Sequence, residues 1–218
     1  MRSITKCESI SRNTYFNDGS FRWSTLASLS QQIIQINNLK PCSILEIGKG
    51  NGFVSHFLLD AGYNITTFDI NRKLKPDVAG NILNLDRYFD SEQFDCVLCS
   101  EVMEHLPFNY FEKCLRMIHY VSRHNAIITL PRLQKVLFDL QMRINLPRMQ
   151  PKELGIFLSI PQKKNKIFKE HFWEINSEKA TALKNIRENM MKFFLIQNDF
   201  RERWRPYHHF FILQKNAL

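Results

Sequence analysis

The segment Glu46-Ile-Gly48-Lys-Gly50-Asn-Gly52 narrows the fold more than any other, because three of the chain's seven glycines stand there on alternate positions. It follows the short apolar run Ser43-Ile-Leu-Glu-Ile47 and precedes Phe53 to Ala61, where Phe53, Phe57 and Leu58 recur at helical spacing. A buried strand that ends in a glycine turn and runs into a helix is the reading. Glycines there let the backbone take positive φ and let a ligand approach with no Cβ in the way, while the helix N-terminus offers free N–H groups. A nucleotide-like ligand fits such a turn. The dinucleotide fingerprint would place its third glycine at position 53, which is Phe53, and no Gly-Lys-Ser/Thr follows to make a P-loop.

Further strands are expected at Asn64-Ile-Thr-Thr-Phe-Asp69, Phe94-Asp-Cys-Val-Leu-Cys99 and Asn125-Ala-Ile-Ile-Thr-Leu130. Between the last two, Phe108, Phe111, Leu115 and Ile118 fall three or four apart, a helix stripe. Strands alternating with helices predict an α/β doubly wound, mostly parallel sheet. At 218 residues, 44% hydrophobic and with 18 Phe, the chain can bury one core, so 1–218 is read as a single domain. No apolar stretch is long enough to span a bilayer, the first residues carry no secretory pattern, and five irregularly spaced cysteines are expected to stay thiols. A cytoplasmic protein is expected.

In the last third, a helix capped by Asn176 or Ser177 runs to about Met190. Two apolar-aromatic strands follow, Lys192 to Phe200 and Tyr207 to Gln214, and their short connection makes them an antiparallel hairpin. Residues 131–175 form a long insertion with the amphipathic run Leu133, Leu137, Leu140, Ile144 and the basic cluster Lys163, Lys164, Lys166, Lys169. A stretch of that length between core elements is read as an acceptor lid, and residues 1–25 as an N-terminal cover. Residues 41–130 hold eight basic against eleven acidic side chains, whereas residues 131–218 hold seventeen against eight. The net charge of +9 therefore lies outside the glycine-turn region.

With Glu46, the three glycines and Asp69 in this order, the chain resembles the class I S-adenosylmethionine-dependent methyltransferases. The resemblance implies a Rossmann-like sheet of seven strands, closed by an antiparallel strand. The fourth-strand segment Ser100-Glu101-Val102-Met103-Glu104-His105-Leu106-Pro107 resembles the small-molecule branch, whose substrate this chain leaves unassigned. The implied cofactor is S-adenosyl-L-methionine, with S-adenosyl-L-homocysteine as product. Its implied site comprises Glu46, Gly48, Gly50, Asn51 and Gly52 at the methionine end, Asp69 and Ile70 at the ribose, Asn81 and Ile82 at the adenine, and Glu101 with Val102. At the adenine the family's acid-Ile pair is Asn81-Ile82 here, an amide in place of the acid.

Candidate catalytic groups are His105, Glu101 and His171. His105 or Glu101 could act as general base where the acceptor must lose a proton; alternatively Glu101 and Val102 line the methionine end and His105 caps the following helix. His171, Trp173 and Glu174 either clamp a planar acceptor or anchor the lid. His208 and His209, adjacent on a strand, are read as structural, one inward and one outward, and the lysine cluster as solvated surface or an anion site. Cys96 and Cys99, three apart on a strand, point to opposite faces and cannot share a metal, so no metal site is expected. Three readings compete: methyl transfer to a small-molecule acceptor, possible phosphate or carboxylate bearer; transfer to RNA or protein held by the basic ends; and a cofactor-binding module without turnover. The sequence assigns no oligomeric state.

Overall fold

The computed structural model describes residues 15–16, 22–148, 152–161 and 167–216. A helix α1 (Trp23–Leu39) leads into β1 (Ser43–Ile47), α2 (Phe53–Asp60), β2 (Asn64–Asp69), the two-residue β3 (Val78–Ala79), β4 (Phe94–Ser100), α3 (Phe111–Val121) and β5 (Ser122–Pro131). After β5 come β6 (Gln134–Ile144), β7 (Lys152–Pro161), α4 (Leu183–Met191), β8 (Phe194–Arg201) and β9 (His208–Lys215). One seven-stranded sheet has the order β3-β2-β1-β4-β5-β9-β8. Only β9 runs antiparallel to its neighbours, β5 and β8. The doubly wound α/β sheet with a terminal antiparallel hairpin is therefore as expected.

Both faces of the sheet are buried, which is why its strands read as unbroken apolar runs rather than alternating ones. Cys96 packs on one side with Ile44, Leu58 and Ile127, and Cys99 on the other with Leu45, Leu115 and Ile128. The two thiols do point apart, and burial pushes both up in pKa. On the second of these faces α3 contributes Phe111, Cys114, Leu115 and Ile118, all fully or nearly fully buried. Helix α1 was not legible in the sequence, because its buried stripe is half polar: Ser28, Gln32 and Ile36 stand four apart with Ala27 beside them.

In the long insertion β6 and β7 pair as a two-stranded antiparallel ribbon apart from the main sheet. The three-and-four spacing of Leu133, Leu137, Leu140 and Ile144 hides a stricter period of two through Phe138, Leu140, Met142 and Ile144, and the backbone follows the latter. Phe138 and Leu140 pair in register with Leu158 and Ile156, and all four are exposed. Lys163, Lys164 and Lys166 lie outside the described residues, as does nearly all of the 1–25 cover segment. The C-terminal helix is also shorter than expected. It begins at Leu183, whose N–H donates to the Asn176 side chain across an intervening turn, so Asn176 caps it from seven residues away.

The chain returns from the ribbon to the sheet through Trp173, which is 1% exposed. Its ring meets Phe108 and Phe111 edge-on at 5.0 and 5.3 Å, and its indole N–H donates to the Leu106 carbonyl at 3.0 Å. Trp173 thus anchors the return segment. Trp173→Ala is expected to cost about 3–5 kcal/mol in urea unfolding, the range for large buried aromatics. Trp173→Phe, which keeps most of the packing and orphans the Leu106 carbonyl, should cost about 1–3 kcal/mol.

Candidate functional site

Strand β1 lies between β2 and β4, so its exit fixes the centre of the sheet's carboxyl edge. Gly48 turns there with φ +88°, its N–H bonded to the Phe68 carbonyl at 2.8 Å. A Cβ on Gly48 would stand 2.4 Å from Val102 Cγ2, so this glycine is required by conformation and by space together. Gly50 has φ +53° and only the Tyr15 ring near its Cβ position, at 3.8 Å. Gly52 has φ +76° and is the N-cap of α2, while Asn51 accepts the Phe53 N–H at 3.0 Å. Asn51 and Gly52 therefore start the helix, and Gly48 and Gly50 line the cavity described next.

Glu46 points from β1 beneath this turn and is 5% exposed. Its Oε2 has no hydrogen-bond partner among the described residues. Burial raises its carboxyl to about 8, against the opposing pull of the Ser55 hydroxyl and the Lys49 ammonium. A carboxyl held in this way is a ready acceptor for a ligand cation.

A cavity opens over the carboxyl ends of β1, β2 and β4. Its floor is Gly48 and Gly50, its far wall Asp69, Ile70, Asn81 and Ile82, and its near wall Glu101, Val102 and His105. Asp69 accepts the Asn71 N–H at 2.8 Å. Burial raises its carboxyl, opposed by backbone N–H groups of Asn71, Gly50, Lys49 and Ile70. The Asn81 side-chain oxygen accepts the Leu83 N–H at 2.9 Å and caps a short 3₁₀ turn over Ile82–Arg87. That oxygen, expected to face an adenine, is already engaged by the backbone. Gly80 admits the cavity wall: a Cβ there would meet Tyr88 at 2.7 Å and Phe68 at 2.8 Å.

Beyond Glu101 a second, wider cavity continues from the first. It shares Gly48, Gly50 and Glu101 with the first cavity and adds Glu46, Asn51, Arg22, Arg205, Tyr207 and His208. Glu101 stands at the junction with φ +54°, a left-handed conformation costing about 1–2 kcal/mol for a residue bearing a Cβ. Burial holds its carboxyl above the usual range, with Arg205 pulling down and Glu174 pushing up. His208 Nε2 is 3.6 Å from Glu101 Oε2, and His208 Nδ1 is 2.7 Å from the Ser28 hydroxyl. Burial, Arg205 and His171 hold His208 well below the usual imidazole range, so it is neutral.

His208 and His209 point to opposite faces of β9, but neither faces solvent as expected of one of the pair: His208 lines the second cavity, and His209 is 2% exposed and bonded to Asp199 at 3.1 Å. No sequence signal distinguished them. Because β9 is antiparallel to β5, His208 pairs with Pro131 and so arrives at the same carboxyl edge as Glu101. Arg205 and Tyr207 precede it in the same approach.

His105 closes a 3₁₀ turn over Met103–His105 and does not cap α3, which starts at Phe111. Its Nδ1–H donates to the Glu170 carbonyl at 3.2 Å, and its ring lies 4.8 Å from that of His171. His171 lines neither cavity. Its Nδ1 is 3.0 Å from Glu174 Oε1, which also accepts the Tyr207 hydroxyl at 2.6 Å. Glu174 is fully buried, as is Glu104. Burial and the neighbouring carboxyls of Glu101 and Glu174 hold the Glu104 carboxyl well above the usual range. Glu104, which the sequence places beside His105 after the fourth strand, thus belongs to a group with His105 and His171.

Comparison with known proteins agrees with this geometry. Residues 45–130 match the family described as a methyltransferase domain. The chain is 24% identical over 154 residues to the ubiquinone biosynthesis O-methyltransferase of Rickettsia typhi, a match covering 62% of this chain and 62% of that protein's length. Among solved structures, N-methyltransferase NodS from Bradyrhizobium japonicum, in complex with S-adenosyl-L-homocysteine, superposes with a TM-score of 0.60 at 10% identity, covering 94% of this chain and 96% of that one. The 1,6-didemethyltoxoflavin-N1-methyltransferase of Burkholderia thailandensis gives 0.59 at 14% identity, over 94% of this chain and 85% of that one. At such identities the likeness speaks for the fold. From the first strand through the fifth, over residues 45–130, the chain is similar to that methyltransferase domain.

Proposed function

We propose that the protein is an S-adenosyl-L-methionine-dependent methyltransferase acting on a small-molecule acceptor that bears an anionic group. The observation that carries this reading is the buried, unpartnered Glu46 Oε2 beneath an open glycine cradle. The named relatives are methyltransferases, and two of the structural neighbours hold S-adenosyl-L-homocysteine. The residues fit that ligand. Glu46 suits the ammonium of its methionine end, Gly48 and Gly50 the backbone-side approach, Asp69 the ribose hydroxyls and Ile82 the adenine face.

The cofactor supplies an electrophilic methyl on a sulfonium, and the chain's task is positioning. In-line displacement needs the acceptor aligned with the methyl and water kept out, with a base only where a proton must leave. Glu101 stands where the two cavities meet, which places its carboxyl beside both ligands. His208 is the neutral imidazole nearest to it and joins Glu101 and His105 as a proton acceptor. Arg22 and Arg205 line the acceptor side and attract a carboxylate or phosphate. The ribbon over 134–161 and the segment through Phe168 serve as the lid.

Incubating the protein with methyl-labelled cofactor and a fractionated metabolite extract should label a discrete small molecule; label found only in RNA or protein would overturn the acceptor class. Arg22→Ala and Arg205→Ala should each raise acceptor KM about tenfold at unchanged cofactor affinity, as loss of a charge-assisted contact implies.

Cofactor binding carries a pH signature. Glu46 is protonated at pH 7 in the free protein, and its raised pKa means the stability it confers is present below 4.5 and lost as pH rises through about 8. Binding an ammonium ionises it and releases a proton. Calorimetry with S-adenosyl-L-homocysteine should therefore show affinity falling about tenfold per pH unit below pH 8, and Glu46→Gln should flatten the slope. Gly50→Ala should weaken binding about tenfold and also lower Tm, since a Cβ at φ +53° costs about 1–2 kcal/mol even though the nearest described side chain, Tyr15, stands 3.8 Å away. Gly48→Ala, driven into Val102, should lower Tm as well.

A further inference from the structure

We propose that Glu104, His105 and His171 form a binding site for one borderline divalent transition-metal ion, of the zinc, iron(II), manganese or cobalt type, at the rim of the cofactor cavity. One ring nitrogen from each histidine and one Glu104 oxygen all lie within 4.8 Å of one another. Around a bound ion such atoms sit about 3.4 Å apart, so side-chain rotations that bring them closer by up to about 1.4 Å complete the shell. Two imidazoles and a carboxylate suit these metals better than magnesium or calcium, which take oxygen.

Three independent features indicate a built site. Glu104 is 0% exposed, and neither of its carboxylate oxygens has a hydrogen-bond partner among the described residues. A buried carboxylate without partners is costly unless it keeps a proton or takes a cation. Second, each histidine has its Nδ1 engaged by an oxygen, the Glu170 carbonyl for His105 and Glu174 Oε1 for His171. Carbonyl and carboxylate partners of this type fix the tautomer and orient metal-ligating imidazoles, leaving the lone pair on Nε2. Third, the two segments that bring the ligands together are laced by backbone. The Phe172 N–H donates to the Glu104 carbonyl at 2.8 Å, and the Trp173 indole to the Leu106 carbonyl at 3.0 Å. The backbone segments that carry the three ligands are therefore tied together by their immediate chain neighbours, and side-chain rotation alone closes the shell.

Sequence spacing concealed it, because His171 lies sixty-six positions after His105 and the only cysteine pair faces apart. Three protein ligands leave coordination positions open, and His105 lines the cavity. Resting on the methyltransferase reading, this narrows the acceptor to compounds that present an oxygen donor to the metal as well as an anionic group to Arg22 and Arg205. His105 and His171 then position the acceptor as metal ligands, and proton removal falls to Glu101 or His208.

The test uses the full chain, tag-free, stripped with EDTA and titrated with Co²⁺. A visible d–d absorption that saturates at one equivalent and is displaced by Zn²⁺ is expected. Glu104→Gln and His171→Asn should each weaken Co²⁺ binding at least tenfold while His124→Ala, an exposed histidine elsewhere, leaves it unchanged. Circular dichroism and S-adenosyl-L-homocysteine calorimetry on each variant report that it is folded. No Co²⁺ absorption in the wild type, or equal Co²⁺ affinity in wild type and both ligand variants, overturns the site. Calorimetry on the stripped wild type separates the two ideas: cofactor binding without Co²⁺ absorption removes the metal and leaves the cofactor reading, and Co²⁺ absorption without cofactor binding does the reverse.

Discussion

Gly48 has no room for a Cβ, and the architecture of the site follows from that contact. Val102 reaches to within 2.4 Å of where one would stand, and the Gly48 N–H is bonded to β2 at Phe68. The exit of β1 is thereby pinned between its two neighbours, so that the loops leaving β2 and β4 splay to either side. Asp69 hangs on one side and Glu101 on the other, with the cavity between them. This is the crevice that open α/β sheets offer at their carboxyl edge. Here it is held by one missing side chain rather than by loop contacts.

Charge is organised by depth. The chain's net charge is +9, whereas the interior of the site is acidic. Glu46 is buried beneath the glycine turn, and Glu101, Glu104 and Glu174 act on one another's carboxyls through a poorly solvated interior. Such a set is tolerable when protons or cations neutralise it. On the readings proposed above, a ligand ammonium beneath the glycine turn and a metal at Glu104 would join Arg205 beside Glu101 as answers to one electrostatic problem, and the basic side chains lining the second cavity would draw in an anionic acceptor.

Much of this was legible in the chain itself. The strands β1, β2 and β4 announced themselves as short apolar runs ended by Gly48, Asp69 and Ser100, because both faces of a parallel sheet are covered and no alternation blurs the signal. The residues that line the first cavity followed, since Gly48, Asp69 and Glu101 leave the ends of β1, β2 and β4 in sequence order. Three parts were not legible. Helix α1 hides because Ser28 and Gln32 occupy its buried stripe. The ribbon 134–161 carries two periods at once, and tertiary context selected the strand. The group of Glu104 with His171, and of Glu101 with His208, depends on where a return segment and an antiparallel strand dock, which no local pattern encodes.

The position of β9 sets an order of events during synthesis. Strand β8 is made before β9, yet in the sheet its only partner is β9, which itself stands between it and β5. As the chain emerges, residues 194–201 have no sheet to join until residues 208–215 are also free. The same strand delivers Tyr207 and His208 to the cavity, so the acceptor side of the site is assembled in the step that closes the sheet. A nascent chain that has already formed the glycine cradle still lacks half of its pocket.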